Sequence, residues 1–240
     1  MLRANGKSLA LSLRNIYETL AISVPTVVDA LRGRVTKDIS DERLARWSRA
    51  CVENAHIEIH VGGREHLRRG ETYLVMSNHQ SLYDIPVLFQ VIGANIRMIA
   101  KDELFHIPVF GKALAEGGFI SIDRSDRNAA IRSLDRARAL LASGTHVWIA
   151  PEGTRSRTGH LLPFKKGAFY LAFEAGLPIL PVTLRGTRDA LPAKGLRSTA
   201  GARVVATIHP SIDPRPYSAR GKGGRDQLMK EVRRIMENDL

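Results

Sequence analysis

Apolar residues near the N-terminus recur at steps of three and four, which is the spacing of one helix face. They are Leu9, Leu13, Ile16, Leu20, Val24, Val27 and Leu31. The stripe predicts an amphipathic helix that Pro25 kinks or splits. The pattern leaves two interpretations open: a helix packed on the rest of the protein, or a kinked or paired helix lying in one membrane leaflet with basic side chains near the head groups.

Further along the chain, short apolar runs typical of strands alternate with helical patterns. The runs lie at 56–61, 73–76, 96–100, 119–122, 147–150, 179–184 and 204–208. Helices are predicted at 41–54, 85–92, 109–116, 128–142, 168–175 and 226–237, and loops at 185–201 and 211–224. This alternation favours the α/β class, with a layered sheet of about seven largely parallel strands flanked by helices.

The charge balance favours an anionic partner. Lys and Arg number 36 against 24 Asp and Glu, a net charge of +12, which suits nucleic acid, anionic lipid or an acidic carrier protein. Nucleic acid ranks lowest, because no nucleic-acid-binding motif is present and only 6% of residues are aromatic. The segment 194–225 holds seven Lys or Arg and only Asp213 as an acid, so it is either a solvated face or a docking patch.

Cysteine usage limits the chemistry further. The single cysteine, Cys51, cannot form an internal disulfide, and no Cys/His cluster has zinc spacing. We therefore expect a reducing compartment and no metal site.

A short polar turn follows the buried run at 73–76. In α/β sheets, active residues collect beyond the carboxyl ends of strands, where His79 lies. Histidine can accept a proton near neutral pH, and Asp84 could fix its tautomer. Taken alone, the spacing favours a helix start at which Asn78 and Ser81 act as caps and His79 has no catalytic role.

Other strand ends carry charged residues as well. Lys101 ends one strand, Arg124 follows another, and "PEGTRS" at 151–156 follows a third. We predict that Lys101, Arg124 and Arg155 converge on one anionic group, such as a phosphate. No nucleophile elbow, P-loop or dinucleotide fingerprint is present. The remaining chemistry is direct: His79 deprotonates a hydroxyl, which attacks an activated carbonyl.

Four ordered motifs resemble those of the 1-acyl-sn-glycerol-3-phosphate acyltransferases, the PlsC-like glycerolipid acyltransferase family. They are "NHQSLYD" (78–84), "KDELFHIPVFGKALAEGGFISIDR" (101–124), "PEGTRS" (151–156) and "LPVTL" (180–184). The resemblance spans roughly residues 56 to 210. One departure is Ala150, where the family usually has an aromatic residue; it bears on pocket shape or acyl-chain preference rather than on the reaction.

The resemblance implies roles for individual residues. His79 would be the general base and Asp84 its orienting partner, while Pro181 would help to shape the pocket. The positions associated with the phosphate-bearing acceptor are Lys101, Arg124, Glu152, Gly153, Thr154 and Arg155. The resemblance also implies an N-terminal helix pair embedded in one leaflet, so we expect a membrane-associating segment at 1–38 and an α/β acyltransferase domain at 39–240.

The implied activity is transfer of a fatty acyl chain from acyl-CoA or acyl carrier protein to the sn-2 hydroxyl of 1-acyl-sn-glycerol-3-phosphate, giving phosphatidic acid. We expect no cofactor beyond the acyl donor, a membrane surface with anionic lipids as partner, and peripheral or monotopic binding at the cytoplasmic face. One alternative is another acceptor, such as glycerol-3-phosphate, a lyso-ornithine lipid or another lysolipid. A second is a noncatalytic protein that binds anionic membranes.

Overall fold

The computed structural model describes residues 6–123 and 127–240. Its strands are β1 (Glu58–Gly62), β2 (Leu74–Ser77), β3 (Ile96–Lys101), β4 (Ile120–Ile122), β5 (His146–Ile149), β6 (Ile179–Arg185) and β7 (Arg203–Ile208). Its helices are α1 (Leu9–Leu31), α2 (Lys37–Asn54), α3 (Asp84–Ile92), α4 (Phe110–Glu116), α5 (Arg127–Ala142), α6 (Lys166–Ala175), α7 (Thr187–Ala190), α8 (Arg215–Ser218) and α9 (Gly221–Glu237). Short 3-10 helices lie at Arg64–His66 and Asp102–His106.

The seven strands form one sheet in the order β1-β7-β6-β2-β5-β3-β4. All neighbouring strands are parallel except β6 and β7, which are antiparallel. The predicted fold class is therefore confirmed, and so are the predicted strands, to within a few residues at their ends.

Two apolar clusters cover the two faces of the sheet. Tyr73 and Val75 point into the cluster that α2 and α3 cover, whereas Leu74 and Met76 point into the cluster beneath α5, α6 and α9. Because helices cover both faces, β2 and β5 are buried along their whole length, as is typical of parallel strands.

The N-terminal helix α1 is unbroken from Leu9 to Leu31, so of the two predicted effects of Pro25, a kink or a split, the split does not occur. The hydroxyls of Ser23 and Thr26, on either side of Pro25, donate to the carbonyls of Thr19 and Ile22 one turn earlier. They add hydrogen bonds to the turn in which proline provides no N–H donor. Within the described residues, no helix combines the length and apolar character needed to cross a membrane.

Helix α2 starts earlier than predicted. α2 begins at Lys37, because the Thr36 hydroxyl accepts a hydrogen bond from the Ile39 N–H and caps the helix there. The predicted boundary between residues 38 and 39 therefore falls inside α2, which packs on both α1 and α3.

The predicted loop at 211–224 is partly helical, because it contains α8 and the start of α9. The glycines at this start suggest a loop by propensity, but Gly224 packs where a Cβ would lie 1.8 Å from the Tyr217 carbonyl oxygen. Tertiary packing of α9 on α8 decides the structure here. The predicted loop at 185–201 likewise contains the one-turn helix α7.

Candidate active site

His79 and Asp84 form the predicted pair at the carboxyl end of β2. Nδ1 of His79 lies 2.7 Å from Oδ2 of Asp84, the first residue of α3. A carboxylate only accepts hydrogen bonds, so this contact keeps a proton on Nδ1 and leaves Nε2 as the basic nitrogen. The His79 ring lines a cavity. The arrangement can remove a proton from a hydroxyl group bound there.

The carboxylate of Asp84 is fully buried and held by several donors. Its Oδ2 accepts from the backbone N–H groups of Gln80 at 2.7 Å and Ser81 at 2.9 Å. Its Oδ1 accepts from the hydroxyl of Thr187. These donors stabilise a buried negative charge and fix its orientation behind the His79 ring.

The backbone of His79 is fixed from the loop after β5. Its N–H donates to Oε1 of Glu152 at 2.8 Å, and its carbonyl oxygen accepts from the Ser156 N–H at 2.7 Å. The "PEGTRS" segment therefore holds the base in place through two hydrogen bonds.

Glu152 is almost completely buried, and both of its carboxylate oxygens have backbone partners. Oε1 accepts from His79 and Oε2 accepts from the Leu162 N–H at 2.7 Å. Burial raises the pKa of Glu152, while the bonds from Leu162 and His79 oppose that shift. Unlike its neighbours Gly153, Thr154 and Arg155, Glu152 does not line the cavity.

The cavity is large and mainly apolar. Its volume is about 610 Å³, and α1, α2, α4 and the carboxyl ends of β3 and β5 supply most of its walls. Apolar side chains on these walls include Ile16, Ile22, Leu44, Trp47, Met98, Leu104, Phe110, Leu114, Phe119 and Trp148. A pocket of this size and character suits a long hydrocarbon chain.

Two of the three predicted cations share this cavity. Lys101 and Arg155 both line it together with His79, whereas the predicted position Arg124 lies outside the described residues. An ammonium group and a guanidinium group in the same cavity as a histidine base suit a substrate with an anionic end and a hydroxyl group.

Two further residues bear on the pocket. Ala150 lines the cavity, and its small side chain leaves room beside Gly153 and Thr154. Pro181 lies in β6 beside Met76 and is not among the residues that line the cavity.

The basic segment 194–225 contributes to both layers around the sheet. Ala202 and Val204 join the cluster on the α2 and α3 side, whereas Tyr217 packs against the cluster beneath α5 and α6.

Sequence reasoning missed three residues around the base: Ser156, Thr187 and Trp148. The Trp148 ring meets the His79 ring edge to face with centroids 5.4 Å apart, and its Nε1 donates to the Ser77 hydroxyl at 2.9 Å. Thr187 could have been found, because it follows the carboxyl end of β6 just as His79 follows β2. In the described part of the chain, no group of three or more His, Cys, Asp or Glu residues has a metal-binding arrangement.

Fold and site together define an α/β enzyme of the O-acyltransferase class. A family model described as Acyltransferase matches residues 58–185, more than half of the chain. The chain therefore belongs to the acyltransferase family.

Similar proteins agree with this assignment. The 1-acyl-sn-glycerol-3-phosphate acyltransferase alpha of Ovis aries is 35% identical over 227 residues, covering 85% of this chain and 78% of its own length. The protein of the same name from Homo sapiens is 35% identical over 227 residues, with 85% and 79% covered. The crystal structure of the 1-acyl-sn-glycerophosphate (LPA) acyltransferase PlsC from Thermotoga maritima superposes with a TM-score of 0.79 at 26% identity, covering 97% of this chain and 94% of its own.

Proposed function

We propose that this protein transfers a fatty acyl group from acyl-CoA or acyl carrier protein to the sn-2 hydroxyl of 1-acyl-sn-glycerol-3-phosphate, forming phosphatidic acid. The observation that carries this proposal is the His79–Asp84 pair beside a cavity lined by Lys101 and Arg155. The names of the curated relatives supply the acceptor.

In the proposed mechanism, Nε2 of His79 takes the proton of the sn-2 hydroxyl as its oxygen attacks the thioester carbonyl. The carbon–sulfur bond breaks, and the departing thiolate receives the proton from the imidazolium. Asp84 stabilises the imidazolium between these two steps. The transfer needs two substrates and no cofactor.

The acceptor would be held by its phosphate. Lys101 and Arg155 line the cavity beside His79, and Arg124 is a third candidate by its place in the motif. Gly153 and Thr154 line the same part of the wall. Glu152, whose oxygens are occupied by two backbone N–H groups, would serve by positioning His79 rather than by touching the acceptor.

Association with a membrane is supported by α1, which exposes most of its apolar side chains and buries polar ones. Of the seven residues in its apolar stripe, Leu9, Leu13, Ile16, Leu20, Val24 and Leu31 are exposed. Its buried residues are polar: Ser23 and Thr26. A helix that shows its apolar side to the outside suits a lipid surface better than water, so we infer peripheral or monotopic binding at the cytoplasmic face.

Neighbouring residues extend this apolar surface. Leu82, Leu104, Ile107 and Val109 are also exposed; Leu82 and Leu104 line the cavity together with Ile16. A lysolipid acceptor could therefore reach the cavity from the bilayer. Anionic head groups would complement the net charge of +12.

One assay tests the activity. Purified protein is offered both donors with several lysolipids, and the products are identified by mass spectrometry. We expect phosphatidic acid from the phosphate-bearing acceptor and a rate about 10²- to 10⁴-fold lower for His79→Ala. Wild-type turnover by a folded His79→Ala variant would refute the proposed base. A clear preference for a phosphate-free lysolipid would refute the assigned acceptor.

A second assay tests membrane binding by flotation with vesicles that contain anionic lipid. The double variant Leu13→Ser, Leu20→Ser should float much less than the wild type. Tyr170→Ser is the matched control, because Tyr170 is an exposed apolar residue on α6, in the opposite layer. Equal flotation of both variants would contradict the role of α1.

A further inference from the structure

Thr187 lies outside the four sequence motifs but bonds directly to the catalytic pair. It is fully buried, and its hydroxyl donates to Oδ1 of Asp84. We propose that Thr187 is a positioning residue for acyl transfer, which acts through Asp84 to set the orientation and proton affinity of His79. The inference rests on the proposed role of His79 as the base.

The turn after β6 brings Thr187 to this position. β6 ends at Arg185, and Gly186 turns the chain with φ of 90° so that Thr187 becomes the first residue of α7. At Gly186 a Cβ would lie 2.0 Å from the carbonyl oxygen of Arg203 in β7. Only glycine fits this approach, so the turn that delivers the hydroxyl to Asp84 has a strict local requirement.

The two carboxylate oxygens of Asp84 accept hydrogen bonds from different donors. Oδ2 accepts from His79 and from the backbone N–H groups of Gln80 and Ser81. For Oδ1 the hydroxyl of Thr187 is the partner. Without it, a buried acceptor is left unsatisfied and the carboxylate is held through Oδ2 alone, which fixes its orientation less firmly.

Loss of this hydroxyl also changes the charge that His79 experiences. A hydrogen bond to Oδ1 stabilises the negative charge of Asp84 and so weakens its attraction for an imidazolium. Removing that bond should make His79 a stronger proton acceptor in the resting enzyme. The acidic limb of the pH–rate profile, which reports loss of the neutral imidazole, should then move to higher pH.

The other charged groups of the site remain constant between variants. Among the described residues, Glu152 contacts the His79 backbone, and Lys101, Arg155 and Arg43 line the cavity. Two further titratable groups on the wall, Cys51 and Tyr83, have pKa values raised chiefly by burial, which keeps them neutral across the relevant range.

The test compares Thr187→Val, which keeps the shape, with Thr187→Ser, which keeps the hydroxyl. For Thr187→Val we expect kcat to fall about 10-fold or more with little change in KM, and the acidic limb of kcat/KM to rise by about half a pH unit. Thr187→Ser should retain most of the rate, and the acidic limb of its kcat/KM profile should lie at the wild-type pH. Should the valine variant fail to fold, Thr187→Ala removes the same hydroxyl without adding a methyl group.

Thr183→Val is a matched control. Thr183 is fully buried in β6, the strand that leads to Thr187, and its hydroxyl donates to the carboxylate of Asp239, away from the cavity. This variant should lose stability but keep the pH–rate profile.

The inference is overturned when Thr187→Val lowers stability yet keeps the wild-type profile and kcat, or when Thr183→Val shifts the profile equally. His79→Ala, measured in parallel, separates the two proposals. Full activity of that variant would refute the base itself. An inactive His79→Ala together with an unchanged Thr187→Val profile would refute only the role of Thr187.

Discussion

The side chain of Asn78 pairs with the backbone of Leu184 in both directions. Its Nδ2 donates to the Leu184 carbonyl oxygen, and its Oδ1 accepts from the Leu184 N–H, each at 2.8 Å. The amide thus continues the pairing of β2 with β6 one residue beyond β2. Because His79 is the next residue, this contact determines where the base leaves the sheet.

Replacing Asn78 tests this relationship. Asn78→Asp keeps the shape but loses the donor and buries a carboxylate against a carbonyl oxygen, so we expect about 3 kcal/mol or more of lost stability and little activity. Asn78→Ala should cost about 2 kcal/mol. Urea denaturation and turnover measure both effects. A fully active and stable Asn78→Asp protein would show that the contact is dispensable.

Asp84→Asn separates the charge of Asp84 from its hydrogen bonds. In the variant, the amide oxygen takes the place of Oδ2 of Asp84 and still accepts hydrogen bonds from His79, Gln80 and Ser81. The NH₂ group takes the place of Oδ1 and can donate to the Thr187 oxygen. Stability should therefore change little, while kcat falls about 10²- to 10⁴-fold because the imidazolium loses its counter-charge. Wild-type kcat in a stable Asn variant would mean that the charge of Asp84 is not used.

Sequence reasoning found the parts of this protein that local pattern determines. Apolar runs of strand length predicted the seven strands of the sheet. The position of His79 and Asp84 at a strand end and helix start gave the pair, because a separation of five residues crosses a single turn. Lys101 and Arg155 were found by the same rule, since parallel strands deliver their carboxyl ends to one edge.

The rest depends on contacts that are distant in sequence. Thr187 lies 103 residues from Asp84; its place after a strand end puts it at the same edge of the sheet, but nothing in the local pattern indicates that the two side chains meet. The motif that contains Glu152 does not reveal whether its carboxylate meets a ligand or a backbone N–H. Periodicity gave α1 its apolar face, but whether that face points towards the core or away from it depends on the polar partners that α2 provides, such as Arg43 for Thr26.

Cys51 should be unreactive in the folded protein. It is buried in α2, and burial together with the negative charge of Glu18 raises the pKa of its thiol to about 12. Only the thiolate reacts appreciably with alkylating reagents. We expect iodoacetamide at pH 8 to label Cys51 slowly in the native protein and readily in urea, as read by intact mass. Rapid labelling of native protein would show that the wall formed by α1 and α2 opens in solution.

His146 makes stability depend on pH. Its Nδ1 accepts from the Tyr73 N–H at 3.1 Å, and burial, with a smaller effect of Lys37, lowers its pKa below the ordinary 6.5. Below about pH 6.5 the unfolded chain therefore binds a proton that the folded protein does not, and stability falls as pH falls. The maximum slope for one such group is about 1.4 kcal/mol per pH unit.

His146→Asn keeps an acceptor for the Tyr73 N–H and removes this titration. His209, whose pKa burial also lowers, remains in both proteins, so the comparison isolates His146. Urea denaturation at pH 7.5, 6.5 and 5.5 should show a shallower loss of stability in the variant, so the variant should gain stability relative to the wild type as pH falls. Parallel curves would mean that His146 is protonated equally in the folded and unfolded states.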